Sequence, residues 1–221
     1  REGNVFGLDE SLSPTLEDFE PLESAPENLR DTGGKVALAI FHCNKPVIGA
    51  INGAAIGVGA TMTLAMDIRF ASEHAKYGFV FSTLGITTEA CSTWFLPRIV
   101  GMQQALDCTL TGDIIKSEEA LQTGLVKSVC AADQLIDTAM SYAFKLAKNT
   151  SAISSAMTRK MMYRNSALPS PEDAHKMESL SMFYTSIGDG KEGVAAFLEK
   201  RQATLSQTVK EEILPFAPWQ D

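Results

Sequence analysis

An α/β core followed by a helical carboxyl-terminal region is the fold class that this sequence predicts. Three observations carry it. Runs dense in β-branched residues alternate with short helical stretches between residues 46 and 130. Beyond Asp133 the apolar spacing is helical throughout. Hydrophobic residues make up 45% of the 221 positions against 21% charged, enough to bury a real core.

The elements follow in order. Residues 1–26 hold Pro14, Pro21 and Pro26 among many acids, which predicts an acidic solvated loop. A helix is expected over about 27–41, ending before Asn44-Lys45-Pro46. Residues 46–51 fit a buried strand, and Asn52-Gly53 marks a turn. The small residues from Ala54 are expected to open a helix that runs through Met66. Residues 67–72 return to strand, and 77–81 are a further strand candidate. From Thr88 the pattern is helical, interrupted at Pro97 and Gly101. Ser117 is placed to cap the next helix, Gly124 to terminate it, and 125–129 fit a short strand. Helices are expected over about 133–148, 152–164, 171–187 and 191–208, with Pro215 and Pro218 beyond. The expected division is a core over 1–136 and a helical region over 137–221.

Charge narrows the partners. Residues 1–31 contain nine acids and two bases, so they carry −7 of the net −8. The acidic mean counts against nucleic acid, while the near-neutral remainder leaves room for a small anionic ligand. Cys43, Cys91, Cys108 and Cys130 show no metal spacing and read as reduced, mostly buried thiols of an intracellular protein. His42, His74 and His175 are too scattered for a triad or a metal site. No apolar run reaches the roughly 18–20 residues of a membrane span.

The densest local signal is Asn52-Gly53-Ala54-Ala55-Ile56-Gly57-Val58-Gly59, between a strand and a helix. Met62 stands where a dinucleotide-binding fingerprint needs its third glycine, and no phosphate loop is present. Two uses remain: close backbone packing, or main-chain N–H groups at a helix start aimed at a carbonyl oxygen or small anion.

In that setting the sequence resembles the crotonase (enoyl-CoA hydratase/isomerase) superfamily. The likeness runs from Lys45-Pro46-Val47-Ile48-Gly49 through Gly59-Ala60 and Asp67-Ile68-Arg69-Phe70-Ala71-Ser72. It continues through Leu84-Gly85-Ile86, Pro97-Arg98-Ile99-Val100-Gly101, Thr111-Gly112 and Ala120-Leu121-Gln122-Thr123-Gly124-Leu125-Val126. It closes with Lys191-Glu192-Gly193 and the run to Arg201. The resemblance implies a spiral of ββα units whose helical carboxyl-terminal region forms a homotrimer or a dimer of trimers. It implies an acyl-CoA thioester as partner, with coenzyme A entering as part of the substrate and no separate cofactor or metal.

The resemblance also assigns residues. Val58 supplies one of two backbone N–H groups for the enolate oxygen, with Gly57 and Ala55 beside the thioester. The two glutamates of the hydratases fall on Thr61 and Phe81, so two-glutamate hydration is not expected. Glu89, in Gly85-Ile86-Thr87-Thr88-Glu89, resembles the base of the Δ3,Δ2-enoyl-CoA isomerase branch. A single carboxylate can remove an α-proton and return it at the γ-carbon. The alternative for Glu89 is an acid in the first turn of a helix, favoured there by the dipole alone. Phe81 and Trp94 are acyl-pocket candidates, and Lys200 is a candidate for the CoA phosphates. Core packing is the alternative for the two aromatics, and a solvated basic face for the lysine.

The expected activity is therefore transfer of a 3-enoyl-CoA double bond to the 2-position. Hydration or dehydration of an unusual acyl-CoA is the first alternative, and an inactive crotonase-like subunit the second. The segment that carries the first oxyanion N–H in relatives has no counterpart here, so the chain reads as truncated at its amino terminus. The terminus Pro218-Trp219-Gln220-Asp221 is not a peroxisomal SKL signal, which leaves peroxisome, mitochondrion and cytoplasm all open.

Overall fold

The computed structural model describes residues 30–209. The expected acidic loop over 1–26 and the prolines at 215 and 218 lie outside them. Two compact units share these residues. One comprises those up to Cys43 together with Val47–Ala139, and the other comprises Asn44–Pro46 and everything from Met140 onward.

The first unit is built on two three-stranded sheets. Strand β1 (Ile48–Ile51) pairs in parallel with β3 (Ile68–Ser72), and β3 pairs in parallel with β6 (Ser128–Cys130). Strand β2 (Ala54–Ile56) pairs in parallel with β4 (Lys76–Gly78), which runs antiparallel to β5 (Ile114–Lys116). Strands β1 and β2 thus enter different sheets across the Asn52-Gly53 turn, and β3 and β4 do the same. Each of these two pairs is followed by helical structure, the ββα repeat that the resemblance implies, whereas a helix over Ser117–Gln122 separates β5 from β6. The expected helix from Ala54 is corrected at its start. Ala54 to Ile56 pair with Lys76 to Gly78, and the helix begins only after Gly57. It is α2 (Val58–Thr61), continued by a 3-10 turn at Met62–Ala65.

Helix α1 (Thr32–His42) starts later than the expected residue 27. Asp31 has extended backbone and accepts the Gly34 N–H through its side chain, which caps the helix there. Helix α3 (Ser92–Val100) passes through Pro97 without breaking and stops at Gly101, whose φ is 81°. Helix α4 (Met102–Thr111) then ends at Gly112, also left-handed. Helix α5 (Ser117–Gln122) corrects the expected cap: Lys116 holds that position, and Ser117 Oγ donates instead to Glu73 O at 3.0 Å.

The core of this unit includes Ala60, Leu64, Phe70, Tyr77, Phe79 and Leu96, all at most 3% exposed. Arg69 is buried among them and ties the layers together. It donates to Leu125 O at 2.6 Å and to Met66 O at 2.5 Å. Asp67 Oδ2 accepts the Val47 N–H at 2.7 Å and fixes the entry to β1. No disulfide joins the four cysteines, and only Cys108 is buried, so the expectation of mostly buried cysteines is corrected.

The second unit is helical. Helix α6 (Leu135–Asn149) crosses the boundary between units, and α7 (Ala152–Asn165), α8 (Pro171–Ile187) and α9 (Asp189–Leu198) follow. Ser151 and Ser170 cap α7 and α8, with Pro171 in the first turn. The last helix ends at Leu198, not near 208. Lys200 takes the left-handed position, with Lys200 N–H on Phe197 O and Arg201 N–H on Ala196 O. That is a Schellman closure without its usual glycine. Asp189 Oδ1 then accepts the Ser206 N–H at 2.9 Å, so the following residues fold back on the start of α9.

Candidate active site

Three pieces of the first unit converge: the start of α1, the Gly57 turn and the loop before α3. Gly57 has φ 58° and ψ −127°, a backbone open only to glycine. Its own N–H bonds Gly78 O at 2.9 Å, and its carbonyl accepts from Ala60 and Thr61. The turn is therefore pinned on both sides. Val58 and Gly59 begin the helix, where N–H groups have no acceptor one turn earlier. Ala55 is buried in β2, and Phe81 is 7% exposed with its ring edge facing Gly57.

Glu89 precedes α3 instead of lying in its first turn, so the dipole explanation for this acid is corrected. The next two residues, Ala90 and Cys91, have φ of 55° and 57°. Two successive non-glycine residues in the left-handed region are strained and need surroundings that hold them. Here Ser92 N–H bonds Glu89 O at 3.0 Å, and Thr88 and Ser92 hydroxyls meet at 2.6 Å. Ala90 is almost wholly buried.

This turn delivers the Glu89 carboxyl into a close seat. Thr61 Oγ1 donates to Oε1 at 2.5 Å. Gly33 of α1 lies under the other oxygen: a Cβ there would fall 1.7 Å from Oε2 and 3.1 Å from the Val58 side chain. Asp31 closes the far side. It accepts the Gly34 N–H and, at 3.4 Å, the Ala90 N–H.

Electrostatics follow from this packing. Burial pushes the Glu89 carboxyl above the ordinary glutamate range. The Thr61 hydroxyl opposes that shift, and the neighbouring Asp31 carboxyl reinforces it. Cys91 is pushed up as well, chiefly by burial and then by the charges of Asp31 and Glu89. The result is one carboxyl of raised basicity, set close to the side chain of Val58, the first residue of α2. Such an arrangement suits proton transfer next to a carbonyl whose oxygen is held by main-chain donors.

The structure thus gathers Glu89, Val58, Gly57 and Phe81, with Thr61 touching the glutamate. Trp94 belongs to a separate aromatic cluster: its ring lies 4.8 Å from Phe95 and 5.8 Å from Phe41, under the Arg98 guanidinium. Lys200 is an exposed residue of the second unit, at the closure of α9. Sequence reasoning missed Asp31 and Gly33 as site residues. Asp-Thr-Gly-Gly was readable as a cap followed by small residues, but the expected helix over 27–41 ran across it. Among the described residues no group of three or more His, Cys, Asp or Glu is placed to hold a metal ion. Among them, too, no helix is long and apolar enough to cross a membrane.

The α/β core with a helical carboxyl-terminal region is that of the crotonase fold. The profile of the enoyl-CoA hydratase/isomerase family matches residues 19–208, and the chain belongs to that family. Over 214 residues it is 42% identical to the enoyl-CoA hydratase ACTT3 of Alternaria alternata, covering 96% of this chain and 70% of that one. It is 36% identical to the 1,2-epoxyphenylacetyl-CoA isomerase of Escherichia coli, covering 71% of this chain and 60% of that one. The crystal structure of an enoyl-CoA hydratase from Bacillus anthracis superposes with a TM-score of 0.75 at 28% identity. That match covers 90% of this chain and 74% of that one.

Proposed function

We propose that the protein transfers a proton within an enoyl-CoA thioester, moving a 3-enoyl double bond to the 2-position. The observation that carries this reading is the Glu89 carboxyl seated on the Thr61 hydroxyl; by resemblance, Thr61 and Phe81 stand where a hydratase has its two glutamates. Glu89 takes an α-proton: the α C–H bond breaks and an O–H bond forms on the carboxyl. The electrons move into the thioester carbonyl, and the Val58 N–H stabilises the resulting dienolate oxygen. Glu89 then returns the proton at the γ-carbon, leaving the conjugated 2-enoyl thioester and the starting carboxylate. A carboxyl above its ordinary range is the stronger base for this first step, and it still releases its proton in the second. No water is consumed.

A second reading, hydration of the double bond, is favoured by one feature of the site. Asp31 places a second carboxyl against Glu89, so a pair is present although the family's glutamate positions are empty of acids. Relatives named enoyl-CoA hydratases agree with it. The two readings part on products. Incubation with 3-enoyl-CoA and, separately, 2-enoyl-CoA thioesters is expected to give double-bond migration from the first and little 3-hydroxyacyl-CoA from the second. Rapid hydration of the 2-enoyl thioester without migration of the 3-enoyl one would reverse the assignment.

A further inference from the structure

The loop that carries Glu89 closes on itself. Ala90 and Cys91 follow one another with φ of 55° and 57°, a region that residues with a side chain seldom enter. Cys91 occupies the cap position of α3, yet its backbone is left-handed and its side chain makes no capping bond. A helix start of that kind lacks the usual extended residue whose oxygen takes one of the first N–H groups. Ser92, one position too late to cap, is 1% exposed and meets the Thr88 hydroxyl at 2.6 Å. A buried hydroxyl needs a partner, and here each hydroxyl takes the other. The Ser92 N–H bonds Glu89 O at 3.0 Å across the same residues. Two bonds, from Ser92 to Thr88 and from Ser92 to Glu89, therefore bracket Ala90 and Cys91.

We infer that Ser92 is a positioning residue acting through Glu89: its hydroxyl, clasped to that of Thr88, keeps Ala90 and Cys91 left-handed and so holds the Glu89 carboxyl in its seat. The inference rests on Glu89 being the proton carrier. With φ above zero the Cβ of each residue crowds the backbone, so an opened clasp lets the chain relax towards negative φ. Glu89 stands immediately before that rotation. Its carboxyl has to meet Thr61 Oγ1 at 2.5 Å and fill the space over Gly33. A turn of the main chain there swings the carboxyl away from both. Asp31 adds one contact to the loop, but at 3.4 Å from the Ala90 nitrogen it is too long to hold the loop alone.

Glycine supplies the test, since it enters the left-handed region without penalty. Ser92→Ala opens the clasp and is expected to lower kcat on a 3-enoyl-CoA thioester by about 10–100-fold, with KM little changed. In a Cys91→Gly background the same substitution is expected to cost only a few-fold, because the loop there no longer needs the clasp. Wild-type kcat in folded Ser92→Ala overturns the inference, and so does an equal loss in both backgrounds. Thr88→Val breaks the same contact from its less buried side and is read against the same outcomes should Ser92→Ala not fold. Hydrogen exchange at the Ser92 amide follows the loop without turnover. It is expected to quicken in Ser92→Ala, and an unchanged rate overturns the clasp. Undiminished turnover by Glu89→Gln is a different result: it overturns the proton-carrier role and leaves the exchange outcome standing.

Discussion

Thr61 donates a 2.5 Å hydrogen bond to Glu89 across 28 residues of sequence. Thr61 is fully buried and its hydroxyl has only distant alternatives, the Gly57 and Val58 carbonyls at 3.4 Å each. The bond orients one carboxylate and favours its ionised form.

Thr61→Val removes that donor with little change of volume. Because the hydroxyl holds Glu89 down, its loss raises the Glu89 range, and the acid limb of the kcat/KM profile moves to higher pH. The plateau above that limb falls less than the profile shifts. A pH–rate series on wild type and variant checks both.

Gly33→Ala separates positioning from folding. The new Cβ meets Oε2 at 1.7 Å and the carboxyl carbon at 2.9 Å, so the Glu89 carboxyl must move by an ångström or so. Misplacement on that scale costs about 100-fold in kcat. Alanine is the better helix residue by up to about 1 kcal/mol, so the thermal midpoint stays close to wild type. Kinetics and melting on the same preparation test the pair of outcomes.

Gly57→Ala attacks the other side of the site. A side chain at φ 58° and ψ −127° costs about 1–3 kcal/mol of backbone strain. Relaxing it turns the Val58 N–H away from its target. Loss of one such donor lowers kcat by about 10²–10³ with a smaller change in KM.

Glu89 also leaves a signature in stability. Its folded range lies above the unfolded one, chiefly through burial, so the folded state binds its proton more readily. The associated stability is present below the ordinary glutamate range of about 4.3 and is lost as pH rises through the folded value. Glu89→Gln escapes that loss. Its melting temperature is expected to exceed wild type at pH 8, with the gain shrinking towards pH 4; an equal gain at both would contradict the shift.

Much of this was legible from sequence where the physics is local. The β-branched run before Asn52-Gly53, the glycine turn at Gly57 and the serine-capped helices α7 and α8 all rest on short-range preferences. The start of α2 was misplaced because Ala54 and Ala55 are small and carry no strand preference of their own; pairing with β4 decides them. Helix α9 was overrun because Lys200, not glycine, takes the left-handed position. Ala90 and Cys91 give no local sign of their positive φ, so the turn that aims Glu89 was not readable. Asp31 and Gly33 reach Glu89 only through the fold, from the opposite end of the core sequence. A chemical group was visible in the chain, whereas its neighbours were not.

The central claim is that the Glu89 carboxyl moves the proton. The most direct measurement is kcat for Glu89→Gln against wild type on a 3-enoyl-CoA thioester, with thioester binding measured alongside. Gln retains an acceptor for Thr61 and cannot take a proton, so the account predicts a loss of about 10²–10⁴-fold with binding preserved. A variant that binds the thioester and shifts its double bond at the wild-type rate would contradict it.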